Sequence, residues 1–242
     1  MKTVKSFNSY SFGLGFALCS ALAFIIGSAS AVQHEGHDHQ HGHDHNHDHA
    51  HQGHDHKGQA QQGQMPQGMT AEQMKKMMEY QKLATPGSHH KELEYFVGTW
   101  NVTSKIYAMG PENPPMTSTG TSKVKWVLDK RYVMENFKGS MMGQPYEGLG
   151  MTGYDNFRNL YVGSWCSSMD TQFLTMKGQK NPETGKMVMY GEMDEPGLVT
   201  GRYCKYVTTI IDEDHYKFEI IDLHAGDDYR VIELDYTRIE KG

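Results

Sequence analysis

The chain has 242 residues, 23 Lys+Arg against 29 Asp+Glu, a formal charge of −6 and a mean hydropathy of −0.66. That length accommodates one ordinary domain with extensions or two small ones, and the acidic balance counts against nucleic acid as the main partner, because neutralising phosphates takes a basic surface. The composition is otherwise that of a turn-rich soluble protein, except for 15 His, eleven of which crowd between His34 and His56.

Residues 1–31 have the form of a cleaved secretory signal. Lys2 and Lys5 precede an uncharged apolar run from Phe12 to Ile26, and Ser28-Ala-Ser-Ala31 ends on an Ala-x-Ala pattern that predicts cleavage after Ala31. The apolar run is shorter than the ~20 residues a spanning helix needs, so no membrane span is expected after cleavage. The predicted location is the periplasm or the exterior. Removing this segment takes two Lys and no acid, leaving a charge of −8.

Residues 32–69 form a His/Asp-rich arm and a Gln/Gly/Met linker. Gly-His-Asp-His occurs at 36–39, 42–45 and 53–56, and no apolar side chain larger than that of Ala50 lies between His34 and His56. Such a stretch cannot build a core, and disorder is expected. Its imidazoles (His34, His37, His39, His41, His43, His45, His47, His49, His51, His54 and His56) suit Zn, Ni and Cu. Asp38, Asp44, Asp48 and Asp55 add carboxylates that ligate metal or orient the rings. At about four ligands per ion, the arm would hold roughly two or three divalent ions. Overlapping ligand sets imply a buffer or collector rather than a catalytic centre, which needs a rigid, open site.

Residues 70–84 are predicted to form an amphipathic helix. Thr70-Ala-Glu-Gln73 is a capping box, after which Met74, Met77, Met78 and Gln81 share one face. Two readings of that Met stripe stand: packing against a neighbour, or, with Met65 and Met69, soft ligation of Cu(I).

Residues 85–242 read as an all-β domain. Strands are predicted at 98–108, 117–128, 131–140, 145–154, 159–168, 171–179, 186–194, 201–211, 215–223 and 229–239, separated by turn chemistry such as Pro111-Glu-Asn-Pro-Pro115 and Asn181-Pro-Glu-Thr-Gly185. Ile232, Leu234 and Tyr236 alternate with Glu233 and Asp235, and Val124, Trp126 and Leu128 with Lys123, Lys125 and Asp129. About ten short strands without intervening helices predict an up-and-down antiparallel β-barrel, whose closure removes exposed edges and leaves room for one small ligand. Of the cysteines, Cys19 leaves with the signal. Cys166 and Cys204 are separated by two predicted strands, roughly 14 Å at ~4.8 Å per strand and beyond the ~7 Å bridging limit, so free thiols are expected.

Several motifs in order resemble a bacterial exported family of unknown function placed with the lipocalin-like, or calycin, barrels. These are Pro86-Gly-Ser-His89-His90 leading into Phe96-Val-Gly-Thr-Trp100, then Gly153-Tyr-Asp-Asn156, Tyr161-Val-Gly-Ser-Trp165, Val207-Thr-Thr-Ile-Ile-Asp212 with Asp214-His215, and Tyr236-Thr-Arg238. The resemblance implies a calycin-like fold over residues 85–239, a small-ligand cavity and a first-strand Trp that closes the barrel base. It implies no activity for any residue, and the His arm, Cys166 and Cys204 lie outside the pattern.

Catalytic motifs are sparse. Gly148-Leu-Gly-Met-Thr-Gly153 has the spacing of a dinucleotide fingerprint but no helix follows it. His89 and His90 are candidates for the barrel mouth, as metal or haem ligands, a proton shuttle or a cap. Glu135, Glu219 and Glu233 are strand carboxylates whose direction parity leaves open. Three functions are compatible with these features: a non-enzymatic metal-binding protein with a ligand-holding barrel, a carrier of an apolar or haem-like molecule, and an enzyme using the cavity.

Overall fold

A computed structural model describes residues 68–194 and 201–242. The predicted signal sequence and the His-rich stretch, with all eleven of its His and its four Asp, lie outside the described residues.

Helix α1 (Ala71–Ala84) begins where the capping box places it. The Thr70 hydroxyl accepts from the Gln73 N–H at 3.2 Å, and Gln73 Oε1 accepts from the Thr70 N–H at 2.9 Å. Among the described residues nothing buries its Met stripe: the helix has no buried residue, and Met77 and Met78 are exposed. Its contacts explain why. The helix is tied to the barrel at its C-terminal end, where Asn156 donates to the Leu83 and Thr85 carbonyls and Arg131 to that of Ala84. Among the described residues Tyr80 adds a ring contact from the side, tilted against Phe157 at 5.4 Å.

A short helix α2 (Ser88–Glu92) and a 3-10 turn (Leu93–Phe96) lead into ten strands: β1 (Gly98–Ile106), β2 (Met116–Val127), β3 (Tyr132–Met141), β4 (Gln144–Asp155), β5 (Leu160–Ser167), β6 (Leu174–Lys180), β7 (Met187–Met193), β8 (Arg202–Ile210), β9 (His215–Asp222) and β10 (Arg230–Lys241). Each strand pairs antiparallel with the next. Strand β10 pairs with β1 from Gly98↔Lys241 to Ile106↔Ile232, closing an up-and-down barrel. The predicted strands match to within three residues at either end. Leu128 departs from its predicted alternation because it leaves β2 for a tight turn, where Leu128, Asp129 and Lys130 all take positive φ (51°, 52° and 60°).

Period-2 side-chain alternation divides the wall in two. Trp100, Val102, Ser104 and Ile106 of β1 face inward, as do Ile232, Leu234 and Tyr236 of β10. The intervening residues Lys105, Lys217, Glu219, Arg230, Glu233 and Asp235 build an outer network across β1, β10 and β9. Glu233 stands opposite Glu219 in the register, an unfavourable pairing that Arg230 offsets by donating to both. Glu219 and Glu233 therefore do not enter the cavity.

One end of the barrel is plugged. Trp100, fully buried, donates its indole N–H to the Phe96 carbonyl at 2.8 Å and meets the Tyr216 ring edge-on at 4.7 Å. The Arg238 guanidinium lies 3.9 Å from the Trp100 ring centre and donates to the Val97, Tyr95 and Glu213 carbonyls. The first-strand Trp thus closes the base as the family resemblance implied.

Candidate functional site: the barrel cavity

A cavity of about 190 Å³ begins at the plug, on Phe96 and Tyr216, and reaches toward Ile106, Met141 and Leu174 at the other end. Its wall is largely apolar and aromatic, with Val133, Phe137, Met176, Met189, Phe218 and Trp165 among its residues.

Trp165 has a place in this wall because of the glycines opposite it. A Cβ on Gly148 would overlap the indole at Cζ2, and one on Gly150 would come within 2.9 Å of Cε3. The indole N–H donates to the Tyr146 hydroxyl at 3.1 Å, fixing the ring. Gly153, on the opposite face, leaves room for the Tyr132 ring. The glycine spacing that imitates a phosphate loop therefore accommodates aromatic rings.

Glu135 is the one formally charged side chain among the cavity-lining residues described. It shares its face of β3 with Val133 and Phe137. Its Oε1 accepts from the Ser122 hydroxyl at 2.6 Å and from the Tyr236 hydroxyl at 3.2 Å. Tyr236 is itself stacked on Tyr216 at 4.1 Å. Glu135 is half-buried and belongs to the cavity lining. Burial pushes its carboxyl above the ordinary range, and the two hydrogen bonds oppose that shift without cancelling it. Burial likewise pushes the Tyr216 and Tyr236 hydroxyls up, so both stay protonated donors.

His89 and His90 sit on α2 at the plugged end, against β4 and β5, and not among the cavity-lining residues. His90 is buried. Its Nδ1 accepts the Gly87 N–H at 3.0 Å, and burial holds the ring below the usual imidazole range. His89 stacks on Tyr154 at 4.3 Å and lies 3.3 Å from both the Tyr161 hydroxyl and Glu92. His215 is held by Asp212 at 2.8 Å at the start of β9. Among the described residues, no group of three or more His, Cys, Asp or Glu is arranged to hold a metal ion.

Cys166 on β5 and Cys204 on β8 are both free, with β6 and β7 between them. Burial pushes the Cys204 thiol up to about 12. Among the described residues no helix is long and apolar enough to cross a membrane.

The fold and cavity define the class: a closed ten-stranded up-and-down β-barrel enclosing a small apolar chamber. The chain belongs to the family described as "Protein of unknown function (DUF1579)", whose model matches residues 85–238. Among curated proteins none matches this chain. Among solved structures it is similar to a de novo designed fluorescence-activating β-barrel, with 16% identity over 60% of this chain and 94% of that one and a TM-score of 0.35. A redesigned β-barrel is similar at 15% identity, over 60% of this chain and 91% of that one, with a TM-score of 0.31.

Proposed function

We propose that this is an exported, non-enzymatic protein whose barrel holds one small, largely apolar molecule. The cavity carries the reading: about 190 Å³ of space walled mainly by aromatic and aliphatic side chains, with one carboxyl group, that of Glu135, among its lining residues. An apolar chamber of ~150 Å³ already takes up benzene. Pockets for drug-sized ligands run to ~300–1,000 Å³, so the volume favours a ring-sized ligand over a haem-like macrocycle. The export component rests on residues 1–31 and is tested by N-terminal sequencing of the secreted or periplasmic protein, which should begin at Val32. The carrier component is tested by native mass spectrometry of the freshly purified protein. A bound species lost on denaturation is expected; a protein that neither retains nor takes up any apolar small molecule overturns the reading.

The His-rich arm supports a second activity of the same protein, the binding of divalent Zn, Ni or Cu by His34 through His56. Titration of each metal into the full mature chain and into a chain lacking residues 34–56 tests it. Loss of roughly two or three sites on deletion is expected, and equal stoichiometry and affinity in the two chains refutes it.

A further inference from the structure

The cavity contains an acid but no base. Its lining among the described residues includes no Lys, Arg or His, and the groups around Glu135 are all uncharged donors: Ser122 from β2, Tyr236 from β10 and, behind it, Tyr216 from β9. Both hydroxyls that reach the carboxyl group donate to Oε1, an arrangement that serves the ionised form. Oε2 has no hydrogen-bond partner among the described residues. The site thus has the hydrogen bonds of a buried carboxylate and lacks only its counter-charge. On the outer wall the contrast is complete, since Glu233 is met by Lys105, Lys217 and Arg230.

We infer that the barrel is built for a small ammonium ligand, a primary amine on a ring-sized apolar body, with its charged nitrogen against Glu135 and its body among Phe137, Tyr146 and Trp165. This rests on the carrier reading and names its ligand class. The aromatic faces add favourable cation–π surface for an amine. A ligand carboxylate would meet Glu135 with no cation to offset it, so anionic amphiphiles of the same size are excluded from this position. Without a ligand, burial keeps Glu135 protonated above the ordinary carboxylate range. An ammonium group entering the cavity would displace that proton, which leaves to solvent as the ion pair forms, and the charges balance.

Calorimetry on the full mature chain distinguishes the possibilities with four probes of one size: phenethylamine, 3-phenylpropionate, the ketone benzylacetone and the hydrocarbon propylbenzene. Phenethylamine is expected to bind tightest. Its affinity should rise as the pH climbs above the ordinary carboxylate range, with protons released to buffer, because its own ammonium stays charged there. Glu135→Gln should weaken phenethylamine by roughly thirtyfold or more, the loss that follows from truncating one partner of a buried charge pair. Benzylacetone and propylbenzene should be little changed. The proton-release measurement is made on the unmutated protein, so the test survives if the variant fails to fold. Benzylacetone binding tightest and weakening as pH rises would identify Glu135 as a neutral hydrogen-bond donor and overturn the inference. Equal binding of 3-phenylpropionate, or of propylbenzene alone, would overturn it while leaving the carrier reading intact. Binding of none of the four would overturn the inference, and, with no retained species in native mass spectrometry, the carrier reading as well.

Discussion

Removing the Arg238 fork should cost the barrel far more than removing one surface charge. The side chain is 7% exposed, lies flat on Trp100 and makes five hydrogen bonds: to the carbonyls of Val97 (3.0 Å) and Tyr95 (2.8 Å), twice to that of Glu213 (3.1 and 3.3 Å), and to Asp214 (3.1 Å). A desolvated cation–π contact contributes about 2 kcal/mol, and a hydrogen bond from a charged donor about 1.5–3 kcal/mol, though such bonds on one group do not add. Arg238→Ala should therefore destabilise by about 4 kcal/mol, and Arg238→Lys, which keeps the charge but loses the planar fork, by about 2–3 kcal/mol. For a domain of this size, roughly 2–4 °C of Tm accompanies each kcal/mol, so the Ala variant should melt ~8–16 °C lower. Urea titration followed by tryptophan fluorescence, with thermal circular dichroism alongside, measures both. A double-mutant cycle with Trp100→Phe should return a coupling of about 1–2 kcal/mol. If Arg238→Lys stays within about 0.5 kcal/mol of the parent, or the cycle shows no coupling, the base is not held by this stack.

Glu135→Gln should raise stability progressively with pH in the ligand-free protein. The unfolded chain ionises this group in the ordinary carboxylate range and the folded chain only at higher pH, so the parent loses stability as pH rises through that interval, whereas the variant does not. Tm against pH for the two proteins checks it; a constant gap would contradict the burial argument. Gly148→Ala should cost about 1–3 kcal/mol, the usual toll of overpacking, and push the Trp165 indole into the cavity, visible as a changed near-ultraviolet dichroism and weakened probe binding. Maleimide labelling of the native mature chain should modify Cys166 first and Cys204 only on unfolding, since the latter is buried with its thiol pushed up to about 12; equal labelling rates would refute this. Protonation of buried His90 should loosen the base as pH falls through the ordinary imidazole range, and His90→Gln should flatten that part of the stability profile.

The barrel was legible in the sequence because each turn carries its own chemistry and because several strands alternate cleanly. On β10 the apolar residues Ile232, Leu234 and Tyr236 alternate cleanly with Glu233 and Asp235, and barrel closure then puts Glu233 on the outer face. Strand β3 offers no such contrast. Val133 and Phe137 share a face with Glu135, but Tyr132 and Met134 occupy the other, and only the closed barrel shows which face is inside. The polar centre of the cavity was hidden for that reason: Ser122 is a diagonal neighbour of Glu135 on the adjoining strand, and Tyr236 reaches the carboxyl group from β10, beyond β1 and β2. The placement of His89 and His90 depended on which end of the barrel the 3-10 turn plugs, a tertiary fact with no local signature. For α1, helical periodicity placed the Met residues on one face, and attachment through its last carbonyls leaves Met77 and Met78 exposed among the described residues.

The pairing of β10 with β1 sets the order of assembly. Of the ten strands a ribosome delivers β1 first, yet its second neighbour is β10, so one edge of the sheet stays unsatisfied until β10 has been made. Tyr236 and Arg238 both ride on that final strand. Closing the ring, seating the guanidinium on Trp100 and bringing a hydroxyl to Glu135 are consequently a single late event. No chamber exists before it, which makes any occupant a guest of the finished barrel and not a template for its folding. A chain shortened before Arg230 would lose the edge seal, the base and the polar centre together.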